Sequence, residues 1–238
     1  MKKALVLLSG GLDSSTCLAL AVNEGYEVTT LSFDYQQRHV IELSKSRALA
    51  DHYGVKEQLR IPLPFYRDLG GSALTSNIEV PKHENVEAMQ RANESDQTEN
   101  IPVTYVPARN LIFLSIAVGT AEIIGADEIF IGVNALDYSG YPDCRPDFIT
   151  SFEHTARLAT RTGVTDGRLS LRTPLLDLSK KEIIELAHRL NMPFELTHSC
   201  YDPIGDVSCG ACDSCLLRLK GFESAGLSDP IPYATSAK

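Results

Sequence analysis

Lys3-Ala-Leu-Val-Leu-Leu-Ser-Gly-Gly-Leu-Asp-Ser-Ser-Thr-Cys17 joins a short apolar run to a polar, helix-forming run through two adjacent glycines, and this junction decides the fold. Ala4 to Leu8 reads as a strand covered on both faces, as in a parallel sheet, and Ser9-Gly10-Gly11 stops it. A helix is predicted from about Asp13. Glycines reach backbone angles closed to other residues, so successive N–H groups can face one concavity, and the helix adds its own unpaired N–H groups and positive dipole end. An anion belongs there. Ser9, Ser14 and Ser15 offer hydroxyl donors, while Asp13 is placed to cap the helix and to hold a magnesium ion beside phosphates. The Gly-x4-Gly-Lys-Ser/Thr pattern of kinase-type phosphate loops is absent. An ordinary capped strand-to-helix turn is the plain alternative.

Working outward, helix Ser14 to Glu24, closed by Gly25, and strand Glu27 to Phe33 continue a parallel sheet. A helix ending at Tyr53 and a strand from Lys56 to Leu63 follow. Ligands sit at the carboxyl ends of such strands, where Ser9 to Ser14 and Asp34 to His39 both lie. From Pro62 to about Pro107 the pattern fails, and the polar run Lys82 to Asn100 reads as a long loop, either a loose insertion or a lid. Arg109 to Ile124 then reads as an apolar helix and Glu128 to Gly132 as a strand. Val133 to Pro146 is a further loop at a carboxyl end, followed by helix Phe148 to Thr160 and strand Leu169 to Thr173. Ser179-Lys-Lys-Glu182 is a capping box that opens a helix to Leu190. The expected architecture is α/β, a parallel sheet flanked by helices over residues 1–190, with a small C-terminal zinc-binding helical appendage over 191–238.

The chain has 238 residues, 43% hydrophobic and 22% charged, with a formal net charge of −9. A globular chain of this length buries roughly 70% of its unfolded surface. The negative balance argues against gripping a phosphate backbone, so a small substrate is expected rather than a nucleic acid. Lys2 and Lys3 precede only five apolar residues, too few for a signal peptide, and no run approaches the ~20 apolar residues of a membrane span. A cytoplasmic protein is expected.

Cys200, Cys209, Cys212 and Cys215 have the spacing of a tetrahedral metal site. Four thiolates close the shell, which makes one structural Zn2+ the expected occupant; an iron–sulfur cluster is the alternative. His198 lies two residues before Cys200 and reads as a packing or substrate-side residue. Cys17 packs within the first helix, and Cys144 is the thiol placed for chemistry.

Ser-Gly-Gly-Leu-Asp-Ser14 resembles the loop of the ATP pyrophosphatases (the PP-loop superfamily). With Phe33-Asp-Tyr-Gln-Gln-Arg-His39, Val106-Pro-Ala-Arg-Asn110, Gly140-Tyr-Pro-Asp-Cys-Arg145 and the four cysteines, the chain is similar nearly end to end to the 7-cyano-7-deazaguanine synthase family. Two positions depart from the family's pattern, Gln36 and Ala108, where a glycine is usual, and each puts a local turn in question. The resemblance implies an adenine nucleotide alpha hydrolase-like fold and a carbon–nitrogen ligase of queuosine biosynthesis. Such an enzyme takes 7-carboxy-7-deazaguanine, free ammonia and two ATP to the nitrile, two AMP and two pyrophosphate, with Mg2+ required. It also implies a homodimer. On this basis Ser9, Asp13, Ser14 and Arg109 are assigned to catalysis. The nucleotide is assigned to Leu8, Ser9, Gly10, Gly11, Leu12, Asp13, Ser14, Ser15, Thr16, Cys17 and Leu18, with Arg38 and His39. Tyr141 is assigned to stack on the ring, Asp143 to accept from its guanine-like edge, and Arg145, like Arg109, to pair with its carboxylate or with phosphates. A homologue from a defence system would share every motif, and a tRNA-modifying pyrophosphatase would share the first loop.

Overall fold

The computed structural model describes residues 1–95, 101–135, 140–165 and 167–234. Strand β1 (Lys3–Leu7) is buried after its first residue and is followed by α1 (Leu12–Asn23), β2 (Glu27–Asp34), α2 (Ile41–His52) and β3 (Glu57–Pro62). Then come α3 (Phe65–Leu69), α4 (Val86–Ser95), α5 (Arg109–Ile124) and β4 (Glu128–Phe130). The chain closes through α6 (Pro146–Ala159), α7 (Arg161–Thr165), β5 (Ser170–Arg172), α8 (Lys180–Arg189) and α9 (Asp213–Ser224). All pairings are parallel, in the order β3-β2-β1-β4-β5.

Alternation along β1 divides the core. Ala4 and Val6 face one layer, where Leu18, Ile183, Ile184 and Phe222 pack; Leu5 and Leu7 face the other, with Leu114, Ile129 and Leu171. Helices therefore cover both faces of the sheet, as a continuous apolar central strand requires. The chain winds from β1 to β3 on one side and then crosses to β4 on the other, so the loops after β1 and β4 part at the carboxyl ends. A crevice opens at such a switch point. No described helix is long and apolar enough to cross a membrane.

The segment after β3 differs from the expected long loop. Residues Val86 to Ser95 form α4, because Asn85 Oδ1 accepts from Ala88 N–H (2.8 Å) at its start and Met89 is buried. Met89 is the one buried side chain among those described on this polar helix, which leaves little apolar pattern to read in sequence. The preceding stretch lies against the cysteines: Ala73 and Val80 pack in their cluster, and His83 N–H donates to the Ala211 carbonyl (2.8 Å). Lys82 Nζ lies 2.9 Å from Asp202. The described residues of this part pack against the cysteine region and do not line the crevice. Residues 96–100 of the expected loop fall outside the described residues, as do residues 136–139 of the loop after β4.

Candidate active site at the sheet switch point

The cavity at the switch point is lined from β1 by Leu7 and Leu8, from β2 by Leu31 and Phe33, and beyond β4 by Ile131 and Gly132. The glycine loop forms one wall. Gly10 has φ +96°, and the backbone of α2 stands where a Cβ would go, with Ser46 N 2.8 Å away. Only glycine fits there. Gly132 is held to the same residue type by contact, since a Cβ would lie 2.9 Å from the Asp13 carbonyl carbon and the Ser14 nitrogen. The two loops that diverge from the sheet therefore touch at the start of α1.

Serine hydroxyls hold the loop. Ser9 N–H donates to Ser14 Oγ (3.2 Å), the Ser9 and Ser14 hydroxyls lie 3.0 Å apart, and Gly11 N–H donates to Ser9 Oγ (3.2 Å). Leu12 N–H reaches Ser199 Oγ (3.4 Å). Each is a rotatable hydroxyl that can turn from a neighbouring N–H toward an anion. Of the stretch assigned to the nucleotide, Leu8, Ser9, Gly11, Leu12, Asp13 and Ser14 line the cavity. Gly10 lies behind them. Ser15 donates to the Gly11 carbonyl (2.7 Å) and Thr16 to that of Leu12 (2.9 Å), while Cys17 and Leu18 are core residues.

Asp13 does not cap α1. The N-cap is Gly11, with no side-chain cap, and Asp13 points away to Lys180, whose Nζ lies 2.9 and 3.0 Å from its two carboxylate oxygens. Lys180 is buried and lines the cavity. It stands at the start of α8, whose capping box is formed as expected. In sequence Lys180 reads only as part of a helix start; its pairing with Asp13, far away in the chain, carries no local signal.

Arg109 and Tyr141 meet in the cavity. Burial works against the charge on Arg109, but Tyr35, Tyr141 and Asp143 around it hold the guanidinium protonated. Among the described residues no carboxylate lies within ion-pairing distance of it. Arg109 is presented by a strained turn: Ala108, the N-cap of α5, has φ +54°, and Gln36 after β2 has φ +57°. Both positions that lack the usual glycine keep the left-handed turn.

Asp143 is placed otherwise than assigned. Its Oδ2 accepts from Asn110 N–H (2.8 Å), so it serves the start of α5, where backbone donors lack helical partners. Burial raises its pKa. It does not line the cavity, and neither does Arg145, which is exposed. Arg38 is also outside: its guanidinium donates to the carbonyls of Ser76 and Ile78 (both 3.0 Å) and pairs with Asp202 (3.3 Å). It ties the insertion to the cysteine region. The Cys144 thiol lines the cavity but accepts from Asn110 Nδ2 (3.2 Å), and burial pushes it up to about 12, so it is a neutral thiol rather than a nucleophile.

His39 lines the cavity and is buried, its Nε2 3.5 Å from Glu42 Oε2. Burial first, then the Arg109 charge, brings its pKa down to about 3; burial lifts Glu42 to about 8 against the pull of Arg109. Glu42 is a cavity residue that sequence reading missed, since a lone glutamate in the first turn of a helix reads as favourable dipole chemistry. His198 is buried, its N–H donating to the Gly10 carbonyl (2.9 Å).

The four cysteine Sγ atoms lie within 4.8 Å of one another and are buried. A tetrahedron with ~2.3 Å zinc–sulfur bonds has edges of ~3.8 Å, and Cys209 and Cys215 stand 3.9 Å apart. Backbone N–H groups of Cys209 and Cys212 donate to the sulfurs of Cys200 (3.2 Å) and Cys209 (3.3 Å). Donors aimed at sulfur suit thiolates, and the set fits a structural zinc.

The profile of the family described as "Queuosine biosynthesis protein QueC" matches residues 3–226. The 7-cyano-7-deazaguanine synthase of Solidesulfovibrio magneticus is 55% identical over 99% of this chain and 97% of its own length. That of Geotalea daltonii is 54% identical over 100% of this chain and 99% of its own. NMN synthetase from Francisella tularensis aligns at a TM-score of 0.49 and 19% identity, covering 84% of this chain and 66% of its own. With a family match over residues 3–226 and near-complete coverage by relatives at this identity, the chain belongs to the QueC family of queuosine-biosynthesis proteins.

Proposed function

We propose that the chain converts 7-carboxy-7-deazaguanine and ammonia to 7-cyano-7-deazaguanine in two adenylations, releasing AMP and pyrophosphate each time. The observation that carries this reading is Arg109, a cation without a carboxylate partner, facing the hydroxyl-held loop across the crevice. Two anions have to meet here, the triphosphate and the substrate carboxylate. A carboxylate is a poor electrophile; adenylation turns one of its oxygens into a leaving group that ammonia displaces, giving the amide. A second adenylation, on the amide oxygen, lets the nitrile form. The chain's residues mainly align and neutralise. Ser9, Ser14 and the loop N–H groups receive phosphate oxygens, Lys180 adds charge beside Asp13, and Arg109 takes the substrate carboxylate or the α-phosphate. Tyr141, its hydroxyl 2.7 Å from Thr104 Oγ1, presents a ring to the cavity.

Magnesium fits as Asp13 with phosphate oxygens, because this ion is commonly held by one or two carboxylates plus substrate phosphates; when bound it would neutralise charge developing on the pyrophosphate. Zinc at the four cysteines would hold the 191–238 region together, and we retain that region as a unit distinct from 1–190, although Phe222 of α9 shares a core layer with Ile183 and Ile184. A homodimer is supported by the outer row of α5, where Leu111 and Ile123 are exposed, 42% and 87%, on either side of Ser115 and Gly119. The test is mass spectrometry of products from 7-carboxy-7-deazaguanine, ATP, magnesium and ammonium. Nitrile with AMP and pyrophosphate is expected; ADP would reject the reading.

A further inference from the structure

Two carboxylates line the cavity among the described residues, and only one of them is ion-paired to a lysine or arginine, although the Arg109 charge also acts on the other. Asp13 is bound by Lys180. Glu42 has no Lys or Arg in ion-pairing reach; its charged-group neighbour is His39, 3.5 Å away and neutral at physiological pH. The Glu42 carboxylate is not remote from the chemistry, because its Oε1 lies 3.7 Å from the point where a Cβ on Gly11 would stand. It therefore flanks the phosphate loop. A second observation points to a ligand on the same wall: His39 Nδ1 is buried with no hydrogen-bond partner, and the side chain is 3% exposed. With Nε2–H turned to Glu42, Nδ1 keeps an acceptor lone pair. A buried carboxylate that is not ion-paired to a Lys or Arg, beside a buried imidazole lone pair with no donor, calls for a small cation rich in N–H groups.

We propose that Glu42, oriented by His39, binds ammonium at the mouth of the phosphate loop and accepts its proton. This rests on the ligase reading above. The ammonium gives one proton to the Glu42 carboxylate, and the freed lone pair attacks the carbonyl carbon of the acyl adenylate. The C–N bond forms, the C–O bond to AMP breaks, and AMP leaves with that electron pair. The second proton passes from the new C–N nitrogen to the departing phosphate oxygen, and Glu42 returns its proton to solvent. Burial favours the arrangement, since it brings the proton affinity of the carboxyl, lifted to about 8, near that of ammonium, while the bound cation itself favours the ionised carboxylate.

The two halves of the reaction separate this role from others, because the amide-to-nitrile half consumes no ammonia. Glu42→Gln should lower kcat/KM for ammonium about 10²-fold while leaving carboxamide conversion, with ATP and magnesium alone, within about twofold of wild type. Glu42→Asp should recover part of the ammonium step. Loss of both halves together would overturn the proposal, since a structural, magnesium-binding or ring-reading Glu42 serves both. Wild-type ammonium kinetics in Glu42→Gln would overturn it as well. Failure of the wild-type chain to convert either compound would instead reject the ligase reading.

Discussion

Lys180 does at the residue scale what no motif announces. It neutralises Asp13 at the edge of the crevice from α8, which packs beside α1 on the same face of the sheet, so Lys180→Met should lower turnover on the order of 10²-fold, measured as AMP release under saturating ATP. An unchanged rate would show that the loop N–H groups suffice. Ala108 invites the opposite kind of change. An L-residue in the left-handed region is strained by about 1 kcal/mol, so Ala108→Gly should raise stability to urea by up to that amount, less the entropy that glycine adds to the unfolded chain. Glu42 links stability to pH. Its folded pKa, about 8, lies above the ordinary carboxylate value of 4.5, so the folded chain holds the proton more tightly, and stability falls as pH rises from about 4.5 to 8. Glu42→Gln, which has no charge to bury, should therefore gain in melting temperature relative to wild type across that window, and an equal difference at both ends would contradict the assignment. The glycine turn from Ser9 to Ser14 was legible as a turn from local chemistry; the place of Asp143 was not, because nothing in its own sequence tells that the start of α5 takes its oxygen.

The elements divide by the strength of their periodic signal. The bounds of α5 are those read from sequence, Arg109 to Ile124, because a long apolar run is closed by Gly125 with φ +71°. The Ser179–Glu182 capping box also forms as read. Helix α4 was not legible: it depends on burial of its own Met89 and on packing against α9, which lies more than a hundred residues away in the chain. The insertion that carries it is fastened to the cysteine cluster through Ala73, Val80 and His83. A zinc ion held by these cysteines would couple metal binding to the order of this insertion. Cys212→Ser, or strong chelation of the wild-type protein, should speed limited proteolysis between residues 70 and 95 as well as lower the melting temperature. Cleavage at an unchanged rate after zinc is lost would separate the two.

Across the whole molecule, strand order fixes where the chemistry sits. The β3-β2-β1-β4-β5 sheet sends the loops after β1 and β4 apart, and side chains from α2, α5 and α8 converge in the gap although they are distant in the chain. Strand-by-strand reading gave the parallel sheet and the carboxyl-end location, but not the partners across the gap, which depend on packing of whole layers. The central claim is that the substrate's own oxygens attack the α-phosphorus of ATP, once as carboxylate and once as amide. 7-Carboxy-7-deazaguanine labelled with oxygen-18 at both carboxylate positions tests this directly. The account predicts one labelled oxygen in the phosphoryl group of each AMP, with unlabelled pyrophosphate and no label released to water. Label in pyrophosphate or in water, or unlabelled AMP alongside nitrile, would contradict it.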